Sequence, residues 1–253
     1  MAVAPVAPNS LVFIDQHRIS GFVTAAEFTL TNELMDAANF ESSGPRNVVG
    51  NYQHTHSHTM LQSYSSDNAI DNIDAIVDGL AGSSDGDHYL GETRGSRSAG
   101  AVVTESVVKL AQKPITGRQG QLQGLNLQTV GNGPVSRGKL LVNSTTLASA
   151  TGTYTSQTQS TYAASTPYQT VVRVPYVAGT SWSITVDIEG SSNGSVWSTM
   201  TDLTVTRTTP GVTRVQTTSA EIKPFVRARV SAINISTGTT AIPLVVTAGV
   251  VST

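Results

Sequence analysis

The residues most able to do chemistry lie in one short run, His54-Thr-His56-Ser-His58. In an extended strand, residues two apart share a face. Neighbouring histidines then stand roughly 6–7 Å apart at their backbones. Two such rings can share one zinc ion, a metal that imidazole suits. His54, His56 and His58 are therefore the candidate metal ligands. His54 and His58 are too far apart to complete one site without another strand. No HExxH motif or second histidine cluster supplies the remaining ligands, and His17 and His88 stand singly. The same spacing also describes a row of polar side chains on one sheet face. That reading needs no metal, and neither a metal nor a cofactor is expected.

The other chemical candidates are fragments. Asp85-Gly-Asp87 resembles part of a calcium loop without its full spacing or distal glutamate. Gly117-Arg-Gln-Gly120 and Gly131-Asn-Gly133-Pro134 match neither a phosphate loop nor a dinucleotide fingerprint. There is no G-x-S-x-G elbow, and with no cysteine there is no thiolate nucleophile or disulfide. Three Asn-x-Ser/Thr triplets begin at Asn143, Asn193 and Asn234, as expected by chance in a chain this rich in serine and threonine. Trp182 lies on an apolar stripe and reads as core. Trp197, beside a polar turn, is the candidate for a surface that stacks on a sugar. No catalytic constellation assembles, and an enzyme is not expected.

Alternation and turn residues place these side chains on strands. Short strands fit Leu11–Ile14, Ala25–Leu30, Tyr52–Leu61, Val102–Leu110 and Gly120–Thr129. Residues 37 to 51, with Gly44, Pro45 and Gly50, read as a long loop. One helix is expected from about Asn68 to Leu80, with Ser66 as its N-cap and Gly82 just past its end. Ile70, Ile73, Ile76, Val77 and Leu80 form its apolar face, and Asp67, Asp71, Asp74 and Asp78 its polar one. In the second half Trp182, Ile184, Val186 and Ile188 alternate strictly with polar residues, so one face is buried and one is wet. Further strands fit Gln169–Val174, Val196–Met200, Leu203–Arg207, Val212–Thr217, Phe225–Ile233 and Ile242–Thr247. Short strands at regular spacing indicate a β-sandwich. The fold class is mostly β: a β-sandwich or barrel with one helix, then an immunoglobulin-like or jelly-roll-like sandwich.

Composition bounds the function. Charged residues are 13% of the 253, with 15 basic and 17 acidic, so a dedicated nucleic-acid binder is not expected. No apolar run approaches the ~18 residues of a membrane span. The start, Met1 to Pro8, has neither a basic residue nor a continuous apolar core, and reads as a proline-stiffened arm rather than a signal peptide. Residues up to 143 carry 9 basic and 13 acidic groups; later ones carry 6 and 4. Of 34 threonines, 25 lie from Thr145 onward. The expected division is an arm over 1–10, a first domain over 11–143, a Ser/Thr-rich linker over 144–166 and a second domain over 167–253. Cutting near residue 145 is then expected to leave the first domain competent.

The order of elements in residues 11 to about 142 resembles the major tail tube proteins of long-tailed, siphovirus-like bacteriophages. Val12-Phe-Ile-Asp15 followed by Ile19-Ser-Gly21-Phe22 is similar to that family's first strand and its D-x-S-G-aromatic turn. Asn32-Glu-Leu-Met-Asp36 is similar to its E-x-x-D step, and Phe40-Glu-Ser-Ser-Gly44-Pro-Arg46 to its loop of an aromatic, a glycine and a basic residue. A strand, a single amphipathic helix, Tyr89-Leu-Gly-Glu92 and Gly100-Ala-Val-Val103 follow in family order. The family's Pro-Gly step is replaced here by Val48-Val-Gly50-Asn51. The second half resembles, in composition, β-sandwich domains added to phage structural proteins.

The resemblance implies a structural subunit of a virion tail, assembled in the host cytoplasm into stacked, hexameric rings around a channel for the genome. Implied partners are further copies of the chain, a tape measure protein and tail terminator or distal tail proteins. Double-stranded DNA would pass without specific binding, and no membrane partner is implied. Phe40, Gly44, Pro45, Arg46 and Gly50 become the candidate self-assembly loop. The acidic first half implies a neutral or negative lumen, because basic walls would bind phosphates. The alternative is an adhesin or decoration protein whose distal sandwich binds sugars.

Overall fold

The computed structural model describes residues 10–36, 47–61, 73–82, 86–112, 115–116, 124–144, 151–159, 166–175, 177, 181–218, 222–235 and 242–251. The protein is mostly β with a single helix among the described residues. The chain forms two compact units that do not follow its order. The first gathers residues from 22–87 and 108–132, and the second residues from 7–21, 88–107 and 133–253. These groupings cut across the two-part division expected around 144–166. The cause is pairing between segments distant in sequence, which local composition does not report.

In the first unit, β3 (Val23–Asp36) and β4 (Asn47–Leu61) form a long antiparallel hairpin. The strand β1 (Val12–Ile14) and the short β2 (His17–Arg18) precede them. Asn47 to Gly50, expected in a loop, are strand, and Asn47, Val48 and Val49 pair back onto Asp36, Met35 and Leu34. β4 also pairs with the start of β8 (Gly124–Ser144), Thr55 facing Val130 and Leu61 facing Gly124. The helix α1 runs from Ile73 to Gly82. Ile73, Ile76, Val77 and Leu80 are buried and Asp78 is exposed, the pattern of a 3.6-residue period. Ile70, Asp67 and Ser66 lie outside the described residues, as do Phe40, Gly44, Pro45 and Arg46.

The second unit is built on two sheets. One has the order β15-β11-β17-β8-β6-β5-β1-β2, where β5 is His88–Thr93, β6 Val102–Gln112, β11 Tyr168–Val174, β15 Gly211–Thr217 and β17 Leu244–Val251. The other centres on β12 (Trp182–Ser191) paired with β16 (Phe225–Ile235). A core of Tyr168, Val172, Ile184, Val186, Val226, Val230 and Val246 lies within the unit, with residues drawn from both sheets. Trp182 belongs to it, as its alternation predicts. Within the segment expected to be a linker, Gly152–Thr153 and Gln157–Thr158 are short strands paired with β16. Leu203, expected to open a strand, closes a 3-10 turn instead.

β11 is buried on both faces. Its even-numbered residues enter the inter-sheet core, while Gln169, Val171 and Arg173 point the other way. Arg173 is fully buried and grips Glu105 of β6 with both ends of its guanidinium, Nη1 to Oε1 at 2.7 Å and Nη2 to Oε2 at 2.6 Å. Its Nε donates to the Asp15 carbonyl at 2.8 Å and Nη2 to the Tyr89 carbonyl at 3.3 Å. The Thr247 hydroxyl donates to Glu105 Oε1 at 2.7 Å. The Phe13 ring lies 5.4 Å from the guanidinium carbon. Gly91 leaves room for the pair, since a Cβ there would come within 2.8 Å of Glu105 Oε1 and 2.9 Å of Arg173 Nη2.

Removing one partner of a buried pair leaves an uncompensated charge and costs about 3–5 kcal/mol. Glu105→Ala is expected to lower stability by that order in urea unfolding. Arg173→Met with Glu105→Leu should recover most of the loss, and additive single losses would contradict the pairing. A chain ending at residue 144 lacks β11 and β17, which continue the sheet beyond β8. It is expected to lack cooperative unfolding, unlike the competent truncation expected from composition.

Candidate assembly surface

The histidine row sits in the first unit, on β4. His54, His56 and His58 are all buried on one face, at 3%, 1% and 0% exposure. On that face Phe28 stands opposite His56, Thr129 flanks it on β8, and Leu127 flanks His58. The Phe28 and His56 ring centres are 4.8 Å apart. His54 and His56 meet edge to face at 5.6 Å, and His56 and His58 stack at 6.2 Å. The three rings serve as a packed ladder between apolar neighbours.

His54, His56 and His58, the candidate ligands, are thus placed as a ladder of rings along one strand. Zinc holds imidazole nitrogens at about 2 Å around one point, whereas these rings stand side by side along a strand. Among the described residues no group of three or more His, Cys, Asp or Glu is placed to hold a metal. Asp85 lies outside the described residues, and Asp87 accepts a hydrogen bond from the Asn132 side chain.

Gly131 faces His54 across the β4–β8 pairing. A Cβ at Gly131 would collide with the His54 ring. The Gly131-Asn-Gly133-Pro134 run, which matches neither a phosphate loop nor a dinucleotide fingerprint, runs through β8 as strand. Its first glycine makes space for an imidazole.

The opposite face of the same three strands is polar. Between Ala25 and Thr31 on β3, Gln53 and Leu61 on β4, and Gly124 and Val130 on β8, its one charged residue is Glu27. Thr29, Thr31, Gln53, Thr55, Ser57, Thr59, Asn126 and Gln128 make most of the rest, with Ala25, Leu61, Gly124 and Val130 among them; Ser57 Oγ donates to Asn126 Oδ1 at 3.1 Å.

The outer border of this sheet is β3. Among the described residues it pairs with β4 alone. It is 14 residues long and contains neither lysine nor proline. Leu30, midway along it, is 52% exposed. Long exposed edges are ordinarily blunted by charged side chains, proline, bulges or a short strand. Glu27, Glu33, Asp36 and two register shifts lie along β3, whereas the stretch from Phe28 to Asn32 carries neither charge nor shift and is a template for another strand.

In the second unit Trp197 is half-buried, with the Arg227 guanidinium carbon 4.1 Å from its ring centre. Arg227 Nε also binds Glu189 Oε2 at 2.6 Å. The adjacent turn is held by Ser191 and Asn193: Gly194 N donates to Ser191 Oγ, and Ser195 N and Val196 N to Asn193 Oδ1, each at 2.9 Å. Arg227 thus takes up a stacking face that a sugar would need. Gly50, the one member of the expected assembly loop that is described, lies within strand β4.

No family model matches the sequence, and no curated protein matches it. Among solved structures, a chain of the native gene transfer agent virion is 13% identical over 53% of this chain and 98% of its own, with a TM-score of 0.40. A chain from the tail of the empty gene transfer agent particle, refined with C6 symmetry, is 12% identical over 46% of this chain and 81% of its own, at 0.34. The SPP1 Dit protein, described as a paradigm of the hub adsorption apparatus in phages infecting Gram-positive bacteria, is 10% identical over 95% of this chain and 98% of its own, at 0.37.

Gly131→Ala is expected to cost about 1–3 kcal/mol in chemical denaturation, the usual range for overpacking. In a His54→Ala background the same change should cost clearly less. Equal costs in both backgrounds would disprove the packing relation between the two residues.

Proposed function

We propose that this chain is a structural subunit of a virion tail that assembles with copies of itself into rings around a channel. The observation that carries the reading is the border of β3, long, uncharged from Phe28 to Asn32 and displaying Leu30. An incoming strand would satisfy its outward backbone groups and cover that leucine. A contact between β3 and a different edge of the next copy is heterologous, and it closes into a ring when the rotation per copy fits. The order of motifs in residues 11 to 142 supports a tail tube component in particular.

The polar face of β3, β4 and β8 is the candidate channel lining. It offers phosphates no cation, so duplex DNA would slide past it rather than bind in a salt-dependent way. A tape measure protein and terminator or distal tail proteins are the further partners this role implies, and the virion tail is the implied location.

Leu30→Lys places a charge on the border while leaving the β3–β4 pairing in place. It is expected to shift concentrated protein from rings or tubes toward single chains in negative-stain microscopy and light scattering. An unmodified chain that remains monomeric at high concentration would overturn the proposal.

A further inference from the structure

Among the described residues, the strands that pair on one side only are β2, β3, β15 and the short strands Ile115–Thr116, Gly152–Thr153, Gln157–Thr158, Ser198–Thr199 and Val205–Arg207. β2 has two residues, and none of the short strands exceeds three. A border that short offers a neighbouring chain little to pair with. Two long borders remain, β3 with 14 residues and β15 with seven.

β15 is regular as well as long. It pairs with β11 without a register shift, from Gly211 opposite Val174 to Thr217 opposite Tyr168, and β11 is its one partner among the described residues. It contains no proline, no acidic residue and one cation, Arg214. That guanidinium is turned inward over β11, where Nε donates to Gln169 Oε1, while Nη2 donates to Gln216 Oε1 at 2.9 Å. Val215 packs against the core of the unit, and Gln216, on the other face, is exposed. Alternation thus gives β15 an apolar side and a polar side. β3 has the same two sides, with Phe28 and Leu30 on one and Thr29 and Thr31 on the other.

We propose that the β15 border of one copy receives the β3 border of the next. The inference rests on the self-assembly reading and names the second edge that such a contact uses. Charge favours this partner. Every charged residue of β3 is acidic, namely Glu27, Glu33 and Asp36, and β15 brings no like charge to them. A β3–β3 contact centred on Leu30 would instead bring Glu27 of one copy to Glu33 of the other, and like charges facing across strands are destabilising. Antiparallel pairing with Leu30 opposite Val215 sets apolar beside apolar and Thr29 opposite Gln216. It also covers Leu30, which is 52% exposed in the single chain. The contact is heterologous, so each copy keeps one border for a third, and the series closes where the rotation fits.

The sequence holds no cysteine, so single cysteines introduced into the full chain report the contact without background. Thr29→Cys or Thr31→Cys marks β3, and Val212→Cys or Gln216→Cys marks β15. Opposed residues of an antiparallel pair have Cα atoms about 4.5–5.5 Å apart, within the span of a disulfide. Oxidising a β3-marked chain together with a β15-marked chain is expected to give a dimer on non-reducing gels in at least one combination. Either chain oxidised alone should give little. Adding Leu30→Lys to the β3-marked chain should lower the yield of mixed dimer severalfold, as loss of a cross-strand apolar contact predicts. Circular dichroism reports whether each variant is folded.

A β3-marked chain that cross-links to itself more than to the β15-marked chain would reveal a β3–β3 contact and overturn the proposal. The proposal also fails if folded chains give no mixed dimer in any combination while the unmodified protein associates in sedimentation velocity. In that case the β3 edge reading stands with a different partner. An unmodified chain that sediments as a monomer at high concentration sinks the β3–β15 contact and the self-assembly reading together.

Discussion

One buried ion pair organises the larger unit. Arg173 and Glu105 are 68 positions apart, yet they meet with bidentate geometry out of contact with water. Around them lie carbonyls from Asp15 and Tyr89, a hydroxyl from Thr247, and a glycine whose missing side chain leaves the space. A buried pair adds little net stability over apolar residues of similar volume. Its larger effect is on register. Slipping β11 by one residue would turn Arg173 onto the face of Tyr168, Val172 and Val174, an apolar core without a carboxylate. The charge that is costly to bury thus penalises the nearest wrong pairing.

The same logic runs in the first unit with weaker groups. Imidazoles on β4 take positions that aliphatic residues would normally hold, and they pack by ring contact with Phe28 and with one another. Gly131 answers His54 as Gly91 answers Arg173. In both places a glycine in a strand marks a bulky polar neighbour on the facing chain rather than a turn.

With the interiors arranged this way, the border of β3 from Phe28 to Asn32 carries neither charge nor register shift. Strand addition at such an edge would act through backbone hydrogen bonds, with the cover of Leu30 adding apolar contact.

Local pattern in the sequence determined the mostly β class, the burial of Trp182 with Ile184, Val186 and Ile188, and the apolar face Ile73–Ile76–Val77–Leu80. Alternation with period two and recurrence with period 3.6 are properties of a single segment, so they can be read without knowing its neighbours. The histidine spacing correctly placed three rings on one face, but not whether that face was wet, buried or metal-bound. That depended on Phe28 and on β8, more than 60 residues downstream of β4. The compact units, the strand pairs formed by residues 151–159 and the partner of Arg173 were decided only by the tertiary structure. Each depends on which distant strands become neighbours, and hydrogen bonds between strands carry no mark in the local sequence of either one.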